Sequence, residues 1–138
     1  MKDFELKLCR TESVEFINKL APNLKTELST KVSYNVGYSK INTCQGEFRT
    51  EITDKNNPDR FRIVVVMKGY FIIKSDISKE KLHILTYDAM YPFVKAFVAN
   101  LTSNSGISPV YLPYIDISDK SIYKMEVRRD FNKTEETE

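Results

Sequence analysis

The 138-residue sequence has no tryptophan, one histidine (His83), two cysteines (Cys9 and Cys44) and four glycines, at 37, 46, 69 and 106. Each scarcity removes a class of chemistry. One histidine and two cysteines, with no HExxH and no CxxC, leave no ligand set for a zinc site. Two thiols are too few for a disulfide framework, and both are expected as reduced strand residues. The scattered glycines build neither a GxGxxG nor a Walker loop, and no GxSxG occurs. A lone Cys9 and a lone His83 without a flanking motif make a poor nucleophile–base pair. Nothing among the 19 acidic residues singles out a general acid and base. The chain is expected not to be an enzyme and to need no cofactor or metal.

Long apolar runs are also missing. The longest compact one covers residues 63–67, far short of the ~20 residues that span a bilayer. The amino terminus, Met1-Lys2-Asp3-Phe4-Glu5, lacks the apolar stretch of a secretory signal. A cytoplasmic protein with no membrane insertion is expected. Charge of one sign is lacking too: 21 basic against 19 acidic residues leave a net charge of +2, with the basic residues spread along the chain. Nucleic acid is therefore not an expected partner.

What remains is ordinary globular composition, 41% hydrophobic and 29% charged, in a length typical of one domain. Phe4, Leu6 and Leu8 alternate with Glu5 and Lys7, and a second apolar stretch follows at Val14-Glu15-Phe16-Ile17. Ala21-Pro22-Asn23 signals a turn. Over 24–38, Leu24, Leu28, Val32, Tyr34, Val36 and Tyr38 share one side of a strand, and Lys25, Glu27, Lys31 and Asn35 the other. Residues 44–54 repeat the pattern with Cys44, Phe48, Thr50 and Ile52 opposed to Gln45, Glu47, Arg49 and Glu51. One dry and one wet face belong to an antiparallel sheet. Residues 60–74 differ, because Val64, Val66, Tyr70 and Ile72 make the second face apolar as well. That surplus predicts burial against another subunit or a bound chain.

The period then changes. Met90, Phe93, Val94, Phe97 and Leu101 recur at helical spacing. Proline is tolerated in a first helical turn, so Pro92 predicts a helix from about 90 to 104, with Asp88 near its cap and Gly106 just past its end. Residues 107–117 carry Pro109 and Pro113, which force an extended path, yet also Val110, Tyr111, Leu112, Tyr114 and Ile115. An extended apolar segment has to pack over something. A short helix capped by Ser118 is expected over 118–127. The organisation is one domain over 1–127 and a disordered polar tail over 128–138. The fold class is α+β: a four-stranded antiparallel sheet, a long helix, a proline-containing crossover and a second short helix.

That order resembles the SecB family of protein-export chaperones. Tyr91-Pro92-Phe93-Val94-Lys95-Ala96-Phe97, and then Ser105-Gly106-Ile107-Ser108-Pro109-Val110-Tyr111-Leu112-Pro113-Tyr114-Ile115-Asp116-Ile117, carry the resemblance. They are similar without gaps to the family's aromatic-Pro-Tyr-Ala-Arg-Glu and Gly-Gly-Phe-Pro-Pro-Leu-Asn-Leu-Pro-Pro-Val-Asn-Phe. Gly69-Tyr70-Phe71 resembles the family's Gly-Gly-(Ile/Leu)-Phe. The resemblance implies an ATP-independent holdase, a homo-tetramer built as a dimer of dimers, that binds unfolded polypeptide in apolar grooves between the sheet and the crossover.

On that reading Tyr34, Tyr38, Tyr70, Ile72, Val110, Tyr111, Leu112 and Tyr114 are the candidate client-binding residues. Phe93, Phe97 and Leu101 are candidates for the oligomer interface. Two departures stand out. The wet faces mix Lys25, Lys31 and Arg49 with Glu27, Glu47 and Glu51, where export members offer an acidic face to the SecA motor. The family's Arg-Glu pair is Lys95-Ala96 here. Both count against SecA and are compatible with a dedicated partner such as an antitoxin. The rival readings are a non-chaperone interaction module on the same fold and a small-molecule carrier.

Overall fold

Gly69 and Gly46 lie opposite one another at the middle of a four-stranded antiparallel sheet. Its strands are β1 (Phe4–Asn18), β2 (Leu28–Tyr38), β3 (Thr43–Asp54) and β4 (Phe61–Ile73), in the spatial order β1-β4-β3-β2. A single long helix, α1 (Lys79–Ser103), follows and packs on one face. The structure, a computed structural model, describes residues 3–20, 27–39 and 41–117, and the backbone of a short pair, β5 (Lys133–Thr134) with β6 (Glu136–Thr137). The helix expected over 118–127 lies outside the described residues, as do Leu24, Lys25 and most of the expected tail.

The alternation read from the sequence sets the two faces of the sheet. Toward α1 point Tyr34 from β2, Cys44, Phe48, Thr50 and Ile52 from β3, and Phe61, Ile63, Val65, Met67 and Phe71 from β4, all buried. Each apolar side chain so hidden contributes roughly 1.5–3 kcal/mol. Asp54 ends β3 fully buried: its carboxylate accepts from Arg60 Nε at 2.6 Å and from the Asn56 N–H at 3.0 Å, which pins the turn into β4. The turn from β2 to β3 passes through Asn42 with φ of 65°, a left-handed position that asparagine tolerates.

The first strand departs from simple alternation. Its two apolar stretches form one strand, with register shifts between Leu6 and Leu8 and between Thr11 and Ser13. Phe4 and Leu6 oppose Ile73 and Phe71 on the helix side, but the first shift turns Leu8 to the outer face opposite Tyr70, so Leu8 does not share their side. Bulges of this kind re-aim a side chain at the cost of a ladder bond. The second shift brings Val14 and Phe16 back to the inner face, where Phe16 meets Phe61 edge-on.

The helix is the larger correction. It begins at Lys79 rather than near 90, and Pro92 sits inside it. Ser78 is the N-cap, its hydroxyl accepting from the Lys81 N–H at 3.2 Å. Residues 82, 83, 86, 87 and 90 carry the buried stripe through the roughly three turns before the expected start. An interior proline costs about 3 kcal/mol. Full burial of Leu82, Tyr87 and Met90, at roughly 1.5–3 kcal/mol each, outweighs it. Pro92 itself is exposed, so its ring meets solvent rather than the sheet. At the other end the helix closes as expected, with Asn104 as C-cap and Gly106 at φ of +86°.

Candidate functional site

Residues 107–117 run extended along one flank of α1 and form a strap. Its anchors are side chains of the helix. The Val110 N–H donates to Thr102 Oγ1 at 2.7 Å, and Tyr91 Oη donates to the Leu112 carbonyl. Tyr87 Oη donates to the Ile115 carbonyl at 2.8 Å. In return Tyr114 Oη donates to Asp88 Oδ1 at 2.7 Å. Extended backbone sends alternate side chains to opposite sides. Leu112 drops into the core, 1% exposed, and its neighbour Tyr111 faces outward at 64%, whereas Tyr114, beyond Pro113, breaks the alternation and stands 52% exposed.

The strap and the helix together carry a column of aromatic rings from surface to core. Tyr114 meets Tyr91 edge-on at 5.2 Å and Tyr87 at 6.2 Å. Tyr87 stacks on Phe48 at 5.0 Å and touches Tyr34, which in turn meets the His83 ring at 5.2 Å. Burial and the neighbouring carboxylates of Asp88 and Asp116 push the Tyr114 phenol up to about 12, so it remains a hydrogen-bond donor at any physiological pH. Burial raises the Tyr87 and Tyr34 phenols further. Tyr91 and Tyr114, packed edge-on, form a ledge on the strap that also carries the half-buried Val110 and the exposed Tyr111.

Not all the residues singled out in the sequence meet there. Val110, Tyr111, Leu112 and Tyr114 share the strap, with Leu112 pointing inward. Tyr34 is fully buried beneath α1, its hydroxyl donating to Thr86 Oγ1 at 2.6 Å. Its apolar neighbours on β2 were read correctly as a face, but the closeness of the helix makes that position core. Tyr38 lies at the far end of β2, with Lys79 Nζ 4.8 Å from its ring centre. It borders a hollow of about 370 Å³ lined also by Asn42, Thr43, Lys74, Asp76 and Lys79. Tyr70 and Ile72 lie on the opposite, outer face of the sheet.

On the outer face, Val64, Val66, Tyr70 and Ile72 of β4 alternate with its own Arg62 and Lys68, which pair with acids of the neighbouring strands. Arg62 reaches Glu15 at 3.2 Å and Glu51 at 2.6 Å, and Lys68 reaches Glu12 at 2.9 Å. These carboxylates hold Arg62 and Lys68 above their ordinary pKa values. Val64 is buried within this one chain, and Ile72 is left 36% exposed. Phe93 lies about 200° round the helix from Tyr91, on the flank away from the strap, and is half exposed. Phe97 and Leu101 are half-buried against the core.

The sequence reading did not identify Tyr87, Asp88, Tyr91 and Thr102 as strap anchors. Their only local signal is the i, i+4 spacing of Tyr87 and Tyr91, which any buried helix face also shows. Among the described residues no group of three or more His, Cys, Asp or Glu side chains is placed to hold a metal. Burial raises the Cys9 and Cys44 thiols, which disfavours the nucleophilic thiolate. No helix among the described residues is long and apolar enough to cross a membrane.

No family model matches the chain. Among solved structures, it superimposes on the Rv1957 SecB-like chaperone of Mycobacterium tuberculosis, determined in complex with a ChAD peptide from the HigA1 antitoxin. The TM-score is 0.60 at 16% identity, covering 82% of this chain and 88% of that one. The chain has a SecB-like fold. Sequence comparison agrees with it: the protein-export protein SecB of Orientia tsutsugamushi (strain Boryong) is 26% identical over 100 residues, 69% of this chain. That match spans 62% of the relative, just under two thirds of its length. An uncharacterised protein of Methanocaldococcus jannaschii, MJ0357, is 25% identical over 134 residues, covering 91% of this SecB-like chain and 86% of its own length.

Proposed function

We propose that this SecB-like chain is an ATP-independent chaperone, not an enzyme, that holds unfolded polypeptide in the cytoplasm on the strap–helix ledge. The observation that carries the reading is the exposure of Tyr111 and Tyr114 on a strap already fastened to the helix, above a column of aromatic rings. An unfolded client offers aliphatic and aromatic side chains, each gaining roughly 1.5–3 kcal/mol when buried, before ordering costs. Several weak subsites along an extended segment then hold it by avidity, without a sequence code. The SecB-like domain of residues 1–127 is the working unit. Phe93, Phe97 and Leu101 join copies into a dimer of dimers, which multiplies the ledges.

A dedicated client, such as an antitoxin segment, suits this chain better than delivery to SecA. The solved SecB-like neighbour holds an antitoxin peptide, and the outer sheet face pairs Arg62, Arg49 and Lys68 with its glutamates instead of presenting free acid. The test is light scattering from an aggregating, chemically denatured model protein. Wild-type chain should suppress the scattering, and Tyr111→Ser should weaken suppression with an unchanged circular dichroism spectrum. Suppression by the well-folded variant equal to wild type would place the client elsewhere, and no suppression by either would remove the chaperone reading.

A further inference from the structure

The hollow beside Tyr38 lies at the end of the sheet away from the β3–β4 turn, and among the described residues no part of the strap lines it. Its volume of about 370 Å³ falls at the lower end of the ~300–1,000 Å³ of small-molecule sites. That suits a small molecule or a single chain end, not a length of unfolded polypeptide. The deeper lining is apolar: Leu82 is buried, and Ile73 and Ile77 are half-buried. The rim is charged, with Lys74, Asp76 and Lys79 exposed. Backbone bonds hold the walls in place. The Ile73 N–H donates to the Asn42 carbonyl and the Lys74 N–H to the Asp3 carbonyl, each at 2.7 Å.

The rim charges differ in what they already hold. Lys74 Nζ is paired with Glu5 at 2.9 Å. Lys79 Nζ stands 4.8 Å from the centre of the Tyr38 ring, and among the described residues it forms no ion pair with a carboxylate. A ring face steadies an ammonium group without consuming its N–H donors. An oriented cation with donors to spare therefore stands above an apolar floor. A cationic or neutral ligand would leave it unused, and a multiply charged anion would meet the like charge of Asp76 on the same rim. We infer that the hollow binds a small monocarboxylate with an apolar body, its carboxylate on Lys79 and its body on Ile73, Ile77 and Leu82. This site is separate from the ledge and does not depend on the chaperone reading. Two sources share its chemistry: a short fatty acid, and the α-carboxylate of a peptide that ends in an apolar residue.

The experiment is calorimetric titration of the full chain with octanoate, its neutral counterpart octanamide, and acetyl-Gly-Leu with a free or an amidated carboxyl end. At least one acid should bind with a dissociation constant below about 1 mM, and about fivefold more tightly than its neutral partner. The tighter acid identifies the source. Lys79→Gln should abolish the preference for acid over neutral, and Ile77→Ser should weaken both alike. In proton–nitrogen NMR spectra the acid should shift amides 42–43 and 73–82 and leave 110–116 in place. Lys79 is exposed, so its variant carries the test even if Ile77→Ser fails to fold. Binding of neither acid, equal binding of acid and neutral partner, an undiminished preference in Lys79→Gln, unchanged binding by a folded Ile77→Ser, or shifts confined to 110–116 would each overturn the site. The scattering assay, which uses a denatured protein, judges the chaperone reading independently.

Discussion

Gly46 and Gly69 face each other across β3 and β4, and the space left by their missing side chains is filled by Tyr34 and Met90. A Cβ on Gly46 would stand 2.3 Å from Tyr34 Oη, and one on Gly69 2.8 Å from Met90 Sδ. Two strand-interior glycines are costly in isolation. Here they let α1 approach the sheet, which in turn sets the depth of the aromatic column beneath the strap.

The two positions should respond differently to alanine. Tyr34 is fully buried and tied to Thr86, so it has nowhere to go. Met90 is flexible. Gly46→Ala should lose about 2–3 kcal/mol in urea denaturation and Gly69→Ala roughly 1 kcal/mol. The reverse order would contradict this account of the packing.

Pro92 predicts a gain. The residue is exposed within a continuous helix. Pro92→Ala restores an N–H and removes a ring that crowds the preceding turn, so thermal and urea midpoints should rise, by up to about 3 kcal/mol. A loss of stability would mean that the proline shapes the helix in a way the sheet requires.

His83 makes stability depend on pH. Burial lowers its pKa below the ordinary imidazole value. The unfolded chain therefore binds a proton that the folded chain resists. The contribution of neutral His83 is whole above the unfolded pKa of about 6.5 and shrinks as pH falls below it toward the folded value. Wild type should lose stability between pH 7 and 5 relative to His83→Phe, measured by urea midpoints across that range. Parallel profiles for the two proteins would show that this ring does not titrate on unfolding.

Phe93 tests assembly separately from client binding. It stands half exposed on the flank opposite the strap. Phe93→Ser should lower the sedimenting mass at a given concentration and leave the monomer's circular dichroism unchanged. An unaltered mass would move the interface away from this flank.

Much of the fold was legible because its signals are local. The inner faces of β2, β3 and β4, the apolar second face of β4 and the extended proline segment follow from alternation and from proline's fixed geometry. The misreadings share one cause. The start of α1 was placed by a rule about Pro92 that holds for a helix alone, and packing of Leu82, Tyr87 and Met90 overrides it. Leu8 was assigned by strict alternation, and a bulge turned it over. Tyr34 was read on the apolar side of its strand, and only the closeness of the helix, which has no local sign, makes it fully buried.

The residue order alone determined the strands, the strap and the second half of α1, since hydrophobic period and proline act over a few neighbours, but not the first turns of the helix. It also determined that apolar area would exceed what a simple two-faced sheet needs. Only the tertiary structure decided which of those apolar side chains become interior and which stay reachable. Leu112 and Tyr111 are adjacent in the chain and alike in hydrophobic character, yet one is sealed and the other open. That difference arises because four hydroxyls, drawn from helix and strap, settle which side of an extended segment turns inward.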